Sequence, residues 1–347
     1  MKIAILGDTH LGAREGKEYF HKHFQNFYEN VFFPTLKEQN IKEVIQLGDL
    51  FDRRKFIDFY SLKRAKEYFF DPAYKEGIRI HSLLGNHDIA LRNSTAINSP
   101  TLLLAEYSNF NPIVNPSELS FPGCSFLMVP WICSENAAEC YEAIRTTDSE
   151  IVCGHFEISG FQMYRGMESH GGIEPDLFKR FDSVFSGHYH HKSSNGNIHY
   201  LGTPYEITAM DYADPRGFHI FDTETKKLEF IRNPYTIFEK VVYNSDLSYK
   251  DFDFGSLTNK FVKIVVENKA DLYQFDKFLE NVDLAEPYDV KISETVNDMI
   301  ADELDESVDI EDTPTILKHY IETAELSVDK DKLTKLMINL YVEAVNL

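Results

Sequence analysis

The sequence contains no apolar run long enough to cross a bilayer. It has only four cysteines, Cys124, Cys133, Cys140 and Cys153, and none forms a C-x-x-C pair. That argues against zinc-knuckle and dithiol-redox chemistry. Positive charge is scarce too, with 35 lysines and arginines against 56 acids and a net charge of −21. A nucleic-acid partner normally calls for a basic face, so any such partner must rely on local charge. The start of the chain, MKIAILGDTH, meets an acid too early for a signal peptide. A cytoplasmic protein with reduced thiols and no membrane partner is expected.

The charge is unevenly spread. Residues 241–347 hold 24 acids and 10 bases, and Ile292 to Leu317 holds nine acids with no lysine or arginine. In contrast, Arg53, Arg54, Lys55, Lys63, Arg64 and Lys66 crowd into 53–66 beside a single acid, Asp58. With 43% hydrophobic residues over 347 positions, the chain can build a sizeable core.

Up to about residue 235, short apolar segments alternate with amphipathic ones. KIAIL, EVIQL, RIHSLL, SFLMV, EIVC and SVFS read as buried strands, and 17–33 and 57–70 as helices. This predicts a layered α/β domain over 1–235. Residues 260–292 read as a small β-α-β unit within a second domain, 236–295. The acidic segment 296–313 reads as a linker. Thr313-Pro314 supplies a helix start, so 314–347 is expected to hold two helices, 314–325 and 329–346. In the second, Leu333, Leu336, Met337, Leu340, Tyr341 and Ala344 recur at helical spacing.

Five fragments each begin with glycine where a predicted strand ends: GDTH (7–10), GDLFD (48–52), GNHD (85–88), GH (154–155) and GHYH (187–190). Glycine there permits a sharp turn, and the following side chains then project from the carboxyl edge of the sheet, where α/β folds collect ligands. Asp8, His10, Asp49, Asn86, His87, Asp88, His155, His188 and His190 would share one rim. Oxygen and imidazole donors without thiolate suit Mn²⁺, Fe²⁺ or Zn²⁺. Seven candidate ligands exceed what one tetrahedral ion takes, so two ions are the economical reading. Two such ions about 3.5–4 Å apart can clamp a phosphoryl group and activate water. Taken singly, each fragment is an ordinary turn; the set in order is not. His21, His23, His81, His199 and His219 fall inside predicted elements or apart from the fragments and read as structural.

The ordered motifs D-x-H, G-D, G-N-H-D, G-H and G-H-x-H resemble those of the calcineurin-like metallophosphoesterases over residues 1–235. GDTHLGAR, GDLFDRRK, LLGNHD, VPW, GTPYEIT and DPRGFHIFDTET are similar to the DNA-repair nuclease branch, which contains SbcD and the meiotic recombination eleven nuclease. PWICSEN and YRGMESHGG resemble its T4-type phage members, the recombination endonuclease subunits. The resemblance implies a four-layer α/β/β/α fold, a small capping domain that binds DNA, and a C-terminal helical hairpin. It implies one metal on Asp8, His10, Asp49 and His190, and another on Asp49, Asn86, His155 and His188. His87 would approach the scissile phosphate, and Asp88 would orient the His87 ring. The implied activity is a two-Mn²⁺ DNA nuclease, with Mg²⁺ supporting less, acting as a 3′–5′ exonuclease and single-strand endonuclease on DNA ends. The implied partners are an SMC-like ATPase of the SbcC or Rad-fifty type and a second copy of the chain. Arg53, Arg54 and Lys55, directly after the Asp49 loop, are expected near the DNA. In one respect the chain departs: cellular members often carry a histidine after G-D-L-F, linked to exonuclease action, where this chain has Asp52.

The competing readings are a phosphatase or small-molecule phosphodiesterase of the same fold, and a non-catalytic scaffold. The former needs no 110-residue extension, and the latter would not be expected to keep all seven ligands and His87.

Overall fold

A computed structural model describes residues 1–164, 167–168, 172–294, 321 and 330–345. Strand Lys2–Leu6 lies inside a six-stranded sheet, ordered Lys227–Arg232, Gly217–Asp222, Lys2–Leu6, Glu43–Gln46, Arg79–Leu83, Phe110–Ile113. The last four strands run parallel. A second six-stranded sheet is ordered Ser193–Asn195, Ile198–Tyr200, Ser183–Gly187, Ile151–His155, Cys124–Val129, Ser117–Phe121. Its four inner strands are parallel.

Strand alternation explains how the sheets stack. Ile3 and Ile5 join a buried cluster with Phe126, Met128, Ile151, Cys153 and Phe185 of the second sheet. Ala4 and Leu6 instead pack with Phe20, Phe24 and Phe27 of helix Glu18–Phe27. On the second sheet, Leu127, Val129 and Val152 turn outward onto Cys140 and Ile144 of helix Ala137–Thr146. Because both faces of each sheet are covered, the strands are apolar at successive positions, as buried parallel strands must be. The order is helix, sheet, sheet, helix. All four cysteines are buried and unbridged.

The helices run further than the sequence suggests. Glu18–Phe27 continues through a wide π turn, Tyr28–Phe32, into Phe33–Glu38, which contains Pro34. Phe59–Ala65 likewise passes through a π turn, Lys66–Phe70, into Asp71–Lys75 with Pro72. Proline lacks the N–H that an α turn requires. The wide turn directly before each proline reaccommodates that missing donor, so neither helix stops.

A third sheet of three parallel strands, Phe238–Asn244, Phe261–Asn268 and Asp289–Ser293, carries helix Leu272–Leu284. The strand Phe238–Asn244 extends the β-α-β unit read from the sequence. This unit has its own core, including Val241, Tyr243, Val262, Ile264, Phe275 and Phe278. It meets helix Glu18–Phe27 through Phe20, whose ring stacks on Phe261 at 5.5 Å, and through Tyr19 against Tyr288. The buried Glu206 carboxylate accepts the amides of Ile237 and Phe238 at the chain's entry into it.

The segment 296–313 and the first C-terminal helix expected from the sequence lie outside the described residues, except for Ile321. The second appears as helix Lys330–Val345. Among the described residues, no helix is long and apolar enough to cross a membrane.

Candidate metal centre

The strands Lys2–Leu6, Glu43–Gln46, Arg79–Leu83, Ile151–His155 and Ser183–Gly187 all bring their last or following residues to one place. The glycines work in two different ways. Gly48 sits at φ +99°, a left-handed conformation that a side chain would strain. Gly85 and Gly187 are needed for close approach: a Cβ on Gly85 would lie 2.1 Å from Asp49 Oδ1, and one on Gly187 2.4 Å from Asp8 Oδ1. The expectation that all five glycines serve as sharp turns is therefore corrected. Left-handed backbone also falls on candidate ligands, with His10 at φ 39°, Asp49 at 52° and His188 at 86°. Such conformations cost on the order of 1–3 kcal/mol each and persist where surrounding structure enforces them.

All seven ligand candidates converge, and Asp8, His10, Asp49, Asn86 and His155 are buried. They fall into two donor groups. Asp8, His10 and His190 offer atoms within 4.8 Å of one another, as do Asp49, His155 and His188. Asn86 Oδ1 joins the second group, 2.9 Å from His155 Nε2 and 3.2 Å from His188 Nδ1. Asp49 Oδ2 faces both groups, 3.3 Å from His155 Nε2 and 3.8 Å from His10 Nε2.

The donors suit divalent cations. His10 Nε2 and His190 Nε2 face each other at 3.0 Å, so at most one can donate a proton to the other. His155 Nδ1 donates to the Leu47 carbonyl at 2.8 Å, which leaves Nε2 to face the centre. Burial, with the Asp49 charge adding to it, pushes Asp8 up to about 6 against the pull of His155. Burial would raise Asp49 also, but His155 and His87 hold it well below the usual carboxylate range. His155 is disfavoured as a cation by burial, yet Asp49 and Asp8 raise it to about 9. Crowded carboxylates and inward-facing imidazoles form a pocket that positive charge would relieve.

His87 and Asp88 play separate parts. The His87 amide donates to Asp49 Oδ1 at 2.8 Å. Its ring Nδ1 lies 2.5 Å from the Asp52 carbonyl, so the Asp88 carboxylate is not the group that orients the ring. Asp88 instead accepts the amides of Gly85, Leu50 and Phe51. It ties the loop carrying Asn86 and His87 to the loop carrying Asp49, and burial together with the Asp49 charge pushes it up to about 6. The family resemblance implied a carboxylate on His87, whereas the tight turn points that carboxylate back along the main chain.

Some supporting residues were not singled out from the sequence. Arg216, buried, donates to the His190 carbonyl and to Thr203 Oγ1, and pairs with Asp211 and Asp214. Asp214 also takes His191 Nδ1 at 2.9 Å. The Trp131 ring walls the second group, 5.2 Å from the ring of His188. The signal for Arg216 lay in DPRGFHIFDTET, which carried the resemblance but no chemical reading.

Arg53 and Lys55 are exposed and Arg54 is half-buried, in a loop ahead of helix Phe59–Ala65, whose cap is Asp58. Arg53 lies over the Phe56 ring at 5.2 Å. The histidines read as structural stay outside the centre: His21 contacts Ser61 and Tyr68, and His81 contacts Glu43. His23 is buried beside Tyr205, His199 meets Ser194, and His219 packs on Phe230.

Residues 1–192 match the calcineurin-like phosphoesterase family. The chain belongs to that family. It is 36% identical, over 99% of both chains, to Exonuclease subunit 1 of Enterobacteria phage T4. Among solved structures it is similar to an archaeal phosphodiesterase, at 14% identity, TM-score 0.34, and 67% and 100% of the two chains covered. A hypothetical protein from Thermus thermophilus gives 16% identity, TM-score 0.34, and coverage of 67% and 97%. At these TM-scores neither structure bears on function.

A Cβ on Gly85 would also lie 2.3 Å from the Asp49 backbone nitrogen, so Gly85→Ala should displace the Asp49 loop, main chain included, as a local change. Circular dichroism is expected to match wild type while Mn²⁺ binding, followed by calorimetry, is lost or sharply weakened. Unchanged Mn²⁺ binding would mean that the Gly85–Asp49 approach is not needed.

Proposed function

We propose that this chain is a metal-dependent DNA nuclease using two Mn²⁺ ions, acting as a 3′–5′ exonuclease on DNA ends and an endonuclease on single strands. The observation that carries this reading is Asp49 Oδ2, which faces both donor groups and so suits a bridging carboxylate. The family relationship supports a divalent-metal phosphodiesterase, and the full-length relative, an exonuclease subunit, supports DNA as substrate. Asp8, His10, Asp49 and His190 would hold one ion, and Asp49, Asn86, His155 and His188 the other. When bound, two such ions supply Lewis-acid polarisation of a phosphoryl group and activation of water.

The chain's own residues would do the rest. His87, whose Nδ1 meets the Asp52 carbonyl, would turn its Nε2 toward a phosphate oxygen. In its charged form it donates a proton to the departing 3′ oxygen. Asp88 would act through the backbone, holding His87 and Asp49 in register. Arg53, Arg54 and Lys55 would meet DNA phosphates beside the centre, a local basic face on an acidic protein. Helix Lys330–Val345, with Leu336 55% and Leu340 51% exposed, would dock on the coiled coil of an SMC-like ATPase. A second copy of the chain would complete the assembly as a homodimer, on the resemblance to the DNA-repair nuclease branch.

The direct test incubates purified protein with linear and circular single-stranded DNA in Mn²⁺, Mg²⁺ or EDTA. Cleavage is expected in Mn²⁺, less in Mg²⁺, and none in EDTA. Asp49→Ala should abolish it on every substrate; substantial Mn²⁺-dependent cleavage by that variant would contradict the two-ion reading. For His87→Ala, calorimetry should still count two Mn²⁺ while turnover drops ~10²-fold, the scale of a lost general acid. Loss of one Mn²⁺ equivalent would make His87 a ligand. Leu336→Asp combined with Leu340→Asp should abolish co-purification with the ATPase and leave single-strand cleavage intact. Wild-type ATPase affinity in that double variant would return the helix to the protein's own core.

A further inference from the structure

We infer that Asp52 is a positioning residue that aims two imidazoles at once, His10 through its side chain and His87 through its main chain. The inference rests on the two-metal reading above and adds a residue to it. His10 is buried, and its Nε2 is the atom turned toward His190 and Asp49. Its other nitrogen, Nδ1, is buried and makes no geometrically good hydrogen bond among the described residues. The Asp52 Oδ1 carboxylate oxygen stands 3.5 Å from that nitrogen. A metal-binding histidine works best when its second nitrogen donates to a carboxylate or carbonyl, which fixes the tautomer and strengthens the donor. Asp52 is the group in place to do this for His10, as the Leu47 carbonyl does for His155.

The same residue's carbonyl lies 2.5 Å from His87 Nδ1. The His10 and His87 rings meet edge to face with centroids 5.0 Å apart. One residue therefore spans the imidazole that would hold a cation and the one that would face the phosphate. The two roles can be separated by mutation, because a side-chain change leaves the carbonyl in place. The Asp52 amide also donates to the Leu11 carbonyl, so the backbone here is anchored independently of the side chain.

Mn²⁺ titration of the full chain by calorimetry tests this. Asp52→Ala is expected to weaken one of the two Mn²⁺ sites about 10–100-fold, the usual effect of losing such a partner, and to leave the other unchanged. Asp52→Asn keeps an oxygen that can accept from His10 Nδ1 and should bind closer to wild type than Ala does. Metal-free melting temperatures of both variants should match wild type. Two wild-type affinities in Asp52→Ala would overturn the inference, as would equal weakening of both sites with a lowered melting temperature. An Asn variant no better than Ala would overturn the hydrogen-bond account. Failure of the wild-type protein to bind two Mn²⁺ would instead remove the proposed function itself.

Discussion

Asp49 is buried, its backbone lies in the left-handed region, and its two carboxylate oxygens point to different tasks. Oδ1 accepts the His87 amide, and Oδ2 faces His155 and His10 from opposite donor groups. Much of the surrounding structure serves to hold this carboxylate there. Gly48 turns the chain before it, Gly85 leaves room beside it, and Asp88 ties its loop to the next. Below it, Gln46 donates to the Gly7 and Gly48 carbonyls, joining two of the loops at their roots. An ionised carboxylate so deeply buried is costly unless matched by positive charge. Imidazoles provide part of that match, and divalent cations held by the two donor groups would provide the rest.

The sheets make this arrangement rigid. Parallel strands in both sheets end on the same rim, and a core of alternating residues from both sheets lies beneath it. A close-packed interior of this kind resists small displacements, so the strained φ angles of His10, Asp49 and His188 can be held in place. Arg216 extends the same logic outward. By pairing with Asp211 and Asp214 while donating to the His190 carbonyl, it binds the loop carrying His188 and His190 to the sequence that follows it.

The convergence of the candidate donors was legible in the sequence because each motif couples a strand end to a donor within a few residues, and strand ends in such sheets share an edge. The layered α/β class was legible for the same reason, from apolar segments such as KIAIL and SFLMV. What could not be read locally depends on tertiary contact. Asp88 adjoins His87 in sequence but turns its carboxylate onto amides from another loop. The helices pass Pro34 and Pro72 because wide turns absorb the missing donor, and periodicity does not announce such turns. Arg216 looks like any loop arginine until three loops close around it. Asp52 read as a departure from a family pattern, whereas in three dimensions it stands against His10 and His87 together.

The proposed bridge of Asp49 between two cations can be seen by anomalous diffraction at the manganese edge from crystals grown with Mn²⁺. Two peaks about 3.5–4 Å apart, one against Asp8, His10 and His190 and the other against Asn86, His155 and His188, with Asp49 between them, are the predicted result. A single peak, or two peaks that do not share Asp49, would contradict it.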